Sequence, residues 1–115
     1  MKKPDPRTLD SVARLYKAFA DPVRLRLLTL LVGREVCVCH LHEALELPQP
    51  TVSRHLASLR AAGIVETRKQ GLWVYYRLTA PADAVGAGLI AGLVSLVDLP
   101  AFARDRDRLE RMLCC

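Results

Sequence analysis

Residues 40–62 read HLHEALELPQPTVSRHLASLRAA, and residues 64–79 read IVETRKQGLWVYYRLT. The first stretch carries two apolar faces of helical period. Leu41, Ala44 and Leu45 form one; Val52, Leu56 and Leu59 form the other. Pro48-Gln49-Pro50 breaks the pattern between them, Pro50 is placed to open the second helix, and Gly63 ends it. Two short helices at this spacing form a helix-turn-helix. In the second stretch Val74, Tyr76 and Leu78 alternate with Trp73, Tyr75 and Arg77, the period of a half-buried strand. Two such strands around Gln70-Gly71 predict a hairpin, with basic residues near its tip. The expected fold is therefore mainly α with a β-hairpin wing, a winged helix-turn-helix. Its second helix would lie in the major groove and its hairpin beside the backbone.

Outward from this centre the chain divides at its prolines and glycines. Leu9, Val12, Tyr16 and Phe19 share one face of a helix over residues 8–20. Asp21 and Pro22 then stop it and open another, as N-cap and first helical residue. Leu25, Leu28 and Leu31 form the buried stripe of this second helix, widened by Leu27 and Leu30, and Gly33 would cap its end. Val36-Cys37-Val38 reads as a minimal strand. Residues 82–97 read as a helix that is apolar nearly all round. A monomer of this size would leave one face of it uncovered. The expected layout is a DNA-binding and dimerisation domain over residues 1–98, with the helix-turn-helix at about 40–62, the wing at 64–79 and a dimer helix at 82–97. Residues 99–115 would be a charged C-terminal tail ending in Cys114-Cys115.

The chain has 115 residues and a net charge of +5. Hydrophobic residues at 51% suffice for one core, whereas the length excludes a (β/α)8 barrel or a two-domain dinucleotide enzyme. Aromatic content of 5% argues against a stacking platform for single strands. The positive charge is segregated. Residues 35–50 hold Glu35, Glu43 and Glu46 with no lysine or arginine, while residues 51–78 hold five basic side chains against Glu66. The N-terminus has no apolar signal region, and the longest uncharged stretch, residues 84–97, is too short to span a bilayer. A cytoplasmic protein without a membrane partner is expected, and in that reducing compartment its four cysteines are thiols or soft-metal ligands.

Gln49, Thr51, Ser53, Arg54 and His55 fall at or near the start of the second helix, on its outer side or edge. There they can meet phosphates or base edges of double-stranded DNA. Arg68 and Lys69 would reach backbone or minor groove from the wing. His55 is equally suited to packing. Cys37 and Cys39 are the chemically loaded pair. In an extended segment residues two apart point to one side, so both sulfurs can converge on one thiophilic ion. No nucleophile–base pair or phosphate loop accompanies them, so an enzyme is not expected.

LYKAFADPVRLRLLTLL (residues 15–31), VCVCHLHEAL (36–45), LPQPTVSRHLASLRAAGIV (47–65) and RKQGLWVYYRL (68–78) together resemble the ArsR/SmtB family of metalloid- and metal-responsive repressors. The resemblance implies a homodimer, with first and last helices at its interface, that binds a palindromic operator and lets go when an ion binds. C-V-C-H-L-H here resembles the C-V-C-D-L-C arsenite motif of arsenic-operon repressors, with His40 and His42 replacing its Asp and third Cys. That implies trivalent arsenic or antimony as inducer and no resident cofactor. Cys37 and Cys39 would be the main ligands, and Cys114 or Cys115 of either subunit a third. No histidine follows His55, so the zinc-type site of the last helix is absent. Cadmium or lead sensing by the same sulfurs, thiol oxidation, and a metal carrier that ignores DNA are the competing readings.

Overall fold

The computed structural model describes residues 8–81 and 83–113. Thr8 caps helix α1 (Leu9–Phe19) through its hydroxyl, which accepts from the Ser11 amide. Asp21 caps α2 (Pro22–Leu30) in the same way, 3.1 Å from the Arg24 amide, with Pro22 in the first turn as its fixed φ favours. Gly33 adopts a φ of +73° in the turn that follows, a conformation open to glycine at no steric cost.

Strand β1 (Val36–Cys37) is one residue shorter than the sequence suggests, because Cys37 is already the N-cap of α3 (Val38–Leu45). Glu46, with a φ of 56°, ends α3 in a left-handed cap, and Pro48 leads into α4 (Gln49–Ala61). The wing follows as β2 (Val65–Gln70) and β3 (Trp73–Leu78), in register from Val65↔Leu78 to Gln70↔Trp73. Strand β1 adds to the far side of β3, pairing Val36↔Tyr76 and Cys37↔Tyr75 and giving the sheet order β1-β3-β2. The wing is thus tied by backbone hydrogen bonds to the segment that carries Cys37.

The core gathers where α2, α3 and α4 meet. Leu27, Leu28, Leu31, Leu41, Ala44, Leu45, Val52, Leu56 and Leu59 are all buried there. The stripe of α2 is rotated from the expected one: Leu27 and Leu30 are buried with Leu28 and Leu31, and Leu25 is only half-buried. Helix α5 (Ala84–Val94), capped by Asp83, is shorter than the expected 82–97 and buries only Leu93. On α1, Phe19 is buried but Leu9 is 84% exposed and Tyr16 is exposed.

The largest departure lies at the end of the chain. Residues 100–113 are not a tail but a helix, α6 (Pro100–Leu113), packed against α2 and α3. Its apolar content is small, which is why it reads as tail, yet Leu109 is fully buried and Asp105 is 1% exposed. The Asp105 carboxylate accepts from Arg26 Nε at 2.8 Å, Arg26 Nη2 at 2.9 Å and Arg108 Nη2 at 2.6 Å. Those arginines also donate to the carbonyls that end α3: Arg26 to Leu45 at 2.9 Å and Arg108 to Ala44 at 2.6 Å. The bond to Asp105 raises the Arg26 pKa against the opposing effect of burial. A buried carboxylate is tolerated only when paired and fully hydrogen-bonded, and here it is.

Replacing Asp105 with Ala leaves two guanidiniums without their shared counter-charge. It is expected to cost about 3 kcal/mol of stability in urea unfolding. Arg34→Ala, which breaks an exposed pair with Glu110 at 3.5 Å, is expected to cost under about 1 kcal/mol.

Candidate nucleic-acid interface and thiolate pair

Helix α4 is buried along Val52, Leu56 and Leu59, so its opposite side is free to meet a ligand. Gln49 and Arg54 are exposed there, with Thr51, Ser53 and His55 half-exposed beside them. No side chain caps the helix N-terminus, since Pro48 occupies that position. Its first amides therefore point outward, with the partial positive charge that favours phosphate. Arg54 supplies a planar fork suited to guanine or phosphate.

His55 is held between helices. Its Nδ1 accepts from Arg24 Nε at 3.3 Å and lies 3.9 Å from an Asp21 carboxylate oxygen. Accepting at Nδ1 places the proton of the neutral ring on Nε2, which remains as a donor. The sequence pattern missed Arg24, whose relation to His55 exists only once α2 crosses α4.

The two basic residues of the wing differ. Lys69 is exposed near the tip, next to the exposed Leu72 and Trp73. Arg68 instead turns back. Its guanidinium forms a forked ion pair with Glu35, donates to Gln70 at 2.9 Å, and stacks 4.7 Å from the centre of the Tyr75 ring. The pairing raises the Arg68 pKa and lowers that of Glu35. Glu35 gave no sign of this role in sequence, being 33 residues from its partner.

The thiols converge, though not by the expected route. Cys37 ends β1 and Cys39 lies in the first turn of α3, so the pair does not share one extended segment. It is the N-cap geometry that brings the sulfurs to 2.7 Å, with Cys37 Sγ accepting from the Cys39 amide at 3.4 Å. Cys37 is 3% exposed and Cys39 half-buried. Burial, reinforced by the neighbouring sulfur, pushes the Cys39 thiol up to about 11, so it is protonated at neutral pH.

Metal–sulfur bonds of ~2.3 Å require two ligating sulfurs to stand roughly 3–4 Å apart. One ion held by both would therefore require the sulfurs to move apart, which strains the cap between Cys37 and the Cys39 amide. His42 turns away, its Nδ1 lying 3.3 Å from the Leu47 carbonyl at the far end of α3. Among the described residues no three His, Cys, Asp or Glu side chains converge as a metal set. Cys114 and Cys115 lie outside the described residues.

Residues 21–67 match the model of the bacterial regulatory protein, arsR family. The chain is 58% identical over 82 residues to the arsenic resistance transcriptional regulator ArsR1 of Pseudomonas putida, covering 70% of this chain and 63% of that relative, under two thirds of its length. It is 48% identical over 79 residues to the arsenical resistance operon repressor of Escherichia coli, covering 67% of each. Among solved structures, a homodimeric winged helix-turn-helix DNA-binding domain from Mycobacterium bovis matches with a TM-score of 0.65. It is 35% identical, over 84% of this chain and 88% of that one. The transcriptional repressor BigR of Xylella fastidiosa matches at 0.63 and 40% identity, over 76% and 86%. With its winged helix-turn-helix intact, this chain belongs to the arsR family of bacterial regulatory proteins, regulators that bind DNA and are not enzymes.

Proposed function

We propose that this protein is a cytoplasmic, dimeric repressor that leaves a palindromic operator when trivalent arsenic or antimony binds Cys37 and Cys39. The observation that carries this reading is the convergence of two sulfurs, that of buried Cys37 and that of half-buried Cys39, 2.7 Å apart on the N-cap of the first helix of the DNA-reading pair. The Pseudomonas putida and Escherichia coli relatives, both named as arsenic-resistance regulators, support the choice of inducer.

On the DNA side, Gln49, Thr51, Ser53, Arg54 and His55 present α4 to the major groove, and Lys69 meets the backbone from the wing. Arg68 contributes only when released from Glu35. A second copy covers the exposed Leu9 and Tyr16 of α1 and the uncovered apolar surface of α5, where Val94 is exposed. Within one chain a Cβ at Gly88 or Gly92 would meet nothing, which leaves those positions open to a close partner helix.

The signal has a short path. Cys37 pairs with Tyr75, Tyr75 pairs with Arg68, and Arg68 is bound to Glu35, two residues before Cys37. Displacing Cys37 from its cap thus disturbs α3 and the wing together. Release requires only that the ion favour the DNA-incompetent state, and a coupling of about 1–3 kcal/mol changes DNA affinity roughly 5–150-fold. Oxidation is the weaker alternative, because the protonated Cys39 thiol is a poor nucleophile.

In mobility shifts with the DNA upstream of its own gene, the wild-type protein should be displaced by arsenite and antimonite. Cys37→Ser/Cys39→Ser should stay bound at every concentration that displaces it. Displacement of that variant by arsenite would defeat the reading, displacement by peroxide alone would point to oxidation, and a wild-type protein with no operator at all would be a carrier. Arg54→Ala should weaken operator binding by roughly 5–150-fold, about 1–3 kcal/mol, while leaving arsenic uptake unchanged in equilibrium dialysis. Glu35→Gln should bind arsenic as the wild type does but separate uptake from DNA release, seen as a smaller ratio between operator affinities with and without arsenite.

A further inference from the structure

We propose that Arg24, at the start of α2, joins His55 in one phosphate-binding site between α2 and α4, donating to a DNA backbone oxygen while its Nε holds the imidazole in place. The proposal rests on the DNA-side reading above, which drew its contacts from α4 and the wing alone.

The first turn of α2 is an unfavourable place for a cation. Arg24 stands there with no acid in the turn, so its guanidinium adds to the positive end of the helix dipole. Nor does the fold supply a counter-charge from elsewhere. Among the described residues Arg26, Arg34, Arg68, Arg77, Arg106 and Arg108 each pair with a carboxylate, and Arg24 does not. Its side chain donates instead to the His55 ring, from Nε to Nδ1 at 3.3 Å.

The nearby acid is engaged otherwise. Asp21 accepts the backbone amide of Arg24 at 3.1 Å as the cap of α2. From His55 Nδ1 it stands 3.9 Å away, beyond hydrogen-bond reach. A half-buried guanidinium thus meets a ring nitrogen rather than a carboxylate, and its two Nη nitrogens donate to no described residue. An anion from outside the chain answers both the charge and the unused donors.

The place suits a backbone phosphate. His55 follows the exposed Arg54, and the half-exposed Thr51 stands one turn earlier on the same edge of α4. On α2, Arg24 lies one turn before the buried Leu28, where the stripe packed on the core meets the surface. With Nε–H engaged, the Nη groups keep the planar fork that matches phosphate oxygens. The ring accepts at Nδ1, so Nε2–H is left as a second donor. His55 contributes a hydrogen bond without charge, and Arg24 contributes the charge. The site would therefore fasten α2 as well as α4 to one strand.

Salt dependence separates a phosphate contact from a structural role. Each neutralised phosphate contributes about 0.9 to the slope of log affinity against log salt. Binding of the full-length protein is measured by fluorescence anisotropy on the DNA upstream of its own gene and on a duplex of shuffled sequence. Arg24→Gln, whose amide can still donate to Nδ1, should lower the slope by about one. It should weaken both duplexes alike, roughly tenfold at ~0.1 M salt. Arg24→Lys keeps the charge and should keep the slope. At about pH 8, where ordinary imidazoles are neutral, nitrogen NMR of the free protein should find the His55 proton on Nε2. An unchanged slope in Arg24→Gln, an equal loss of slope in Arg24→Lys, a loss confined to the operator, or a proton on Nδ1 would each overturn the proposal. If Arg54→Ala weakens operator binding while Arg24→Gln keeps the wild-type slope, the α4 reading stands and this one falls. If both variants bind as the wild type does, both readings fall.

Discussion

An eight-residue helix has too few internal hydrogen bonds to keep its own direction, and α3 is accordingly gripped at both ends by groups outside it. At its start the Cys37 sulfur takes the Cys39 amide, and β1 fastens Cys37 to the wing. At its end Arg26 and Arg108 hold the Leu45 and Ala44 carbonyls, and both are fixed by the buried Asp105 of α6. The placement of α4 depends on these grips, because only Glu46, Leu47 and Pro48 separate the two helices. In the proposed function, a ligand that alters either grip would change the angle at which α4 is offered to DNA. It would do so without touching α4 itself.

This arrangement also explains what could be seen in the sequence and what could not. The helix-turn-helix and wing were legible because each rests on local patterns: apolar period, the prolines at 48 and 50, and alternation over residues 73–78. The end of the chain was not legible, since α6 is held by Leu109 and by a carboxylate whose partner Arg26 is 79 residues away. Charge patterning along one segment cannot distinguish a solvated arginine from one that closes a buried ion pair. Arg68 illustrates the same limit from the other side, as a basic wing residue aimed at DNA by sequence and engaged by Glu35 in the fold. The thiol pair was anticipated to converge as strand neighbours and does so as an N-cap with its first helical turn. Both geometries bring the sulfurs of residues two apart together.

Charge is distributed in keeping with these roles. Most acids of the central region lie near α3 and its entry, and two of them are already committed: Glu35 to Arg68, and Glu46 to Arg108 at 3.1 Å. The acidic segment is therefore wired into the basic elements around it. Exposed basic side chains remain on the outer side of α4, at Arg54, and on the wing, at Lys69. A net charge of +5 alone would attract DNA without orienting it; in the proposed function the uncapped α4 N-terminus beside Arg54 supplies the orientation.

Placing the proposed thiolate site at a helix N-cap has a thermodynamic logic of its own. A cap contributes about 1 kcal/mol, with a range of roughly 0.5–2 for side-chain oxygens, and a sulfur acceptor at 3.4 Å belongs at the weaker end. That is small against the strength of several metal–sulfur bonds, so an ion can break the cap at little loss to its own affinity. It is nevertheless of the same order as the 1–3 kcal/mol by which allosteric ligands shift DNA binding. The same weakness protects the resting state, because the buried β1–β3 pairing and the Asp105 clamp hold the fold when the cap is disturbed. The proposed sensing contact and the clamp that holds the fold are thus separated along one short helix, a yielding contact at its start and a rigid one at its end.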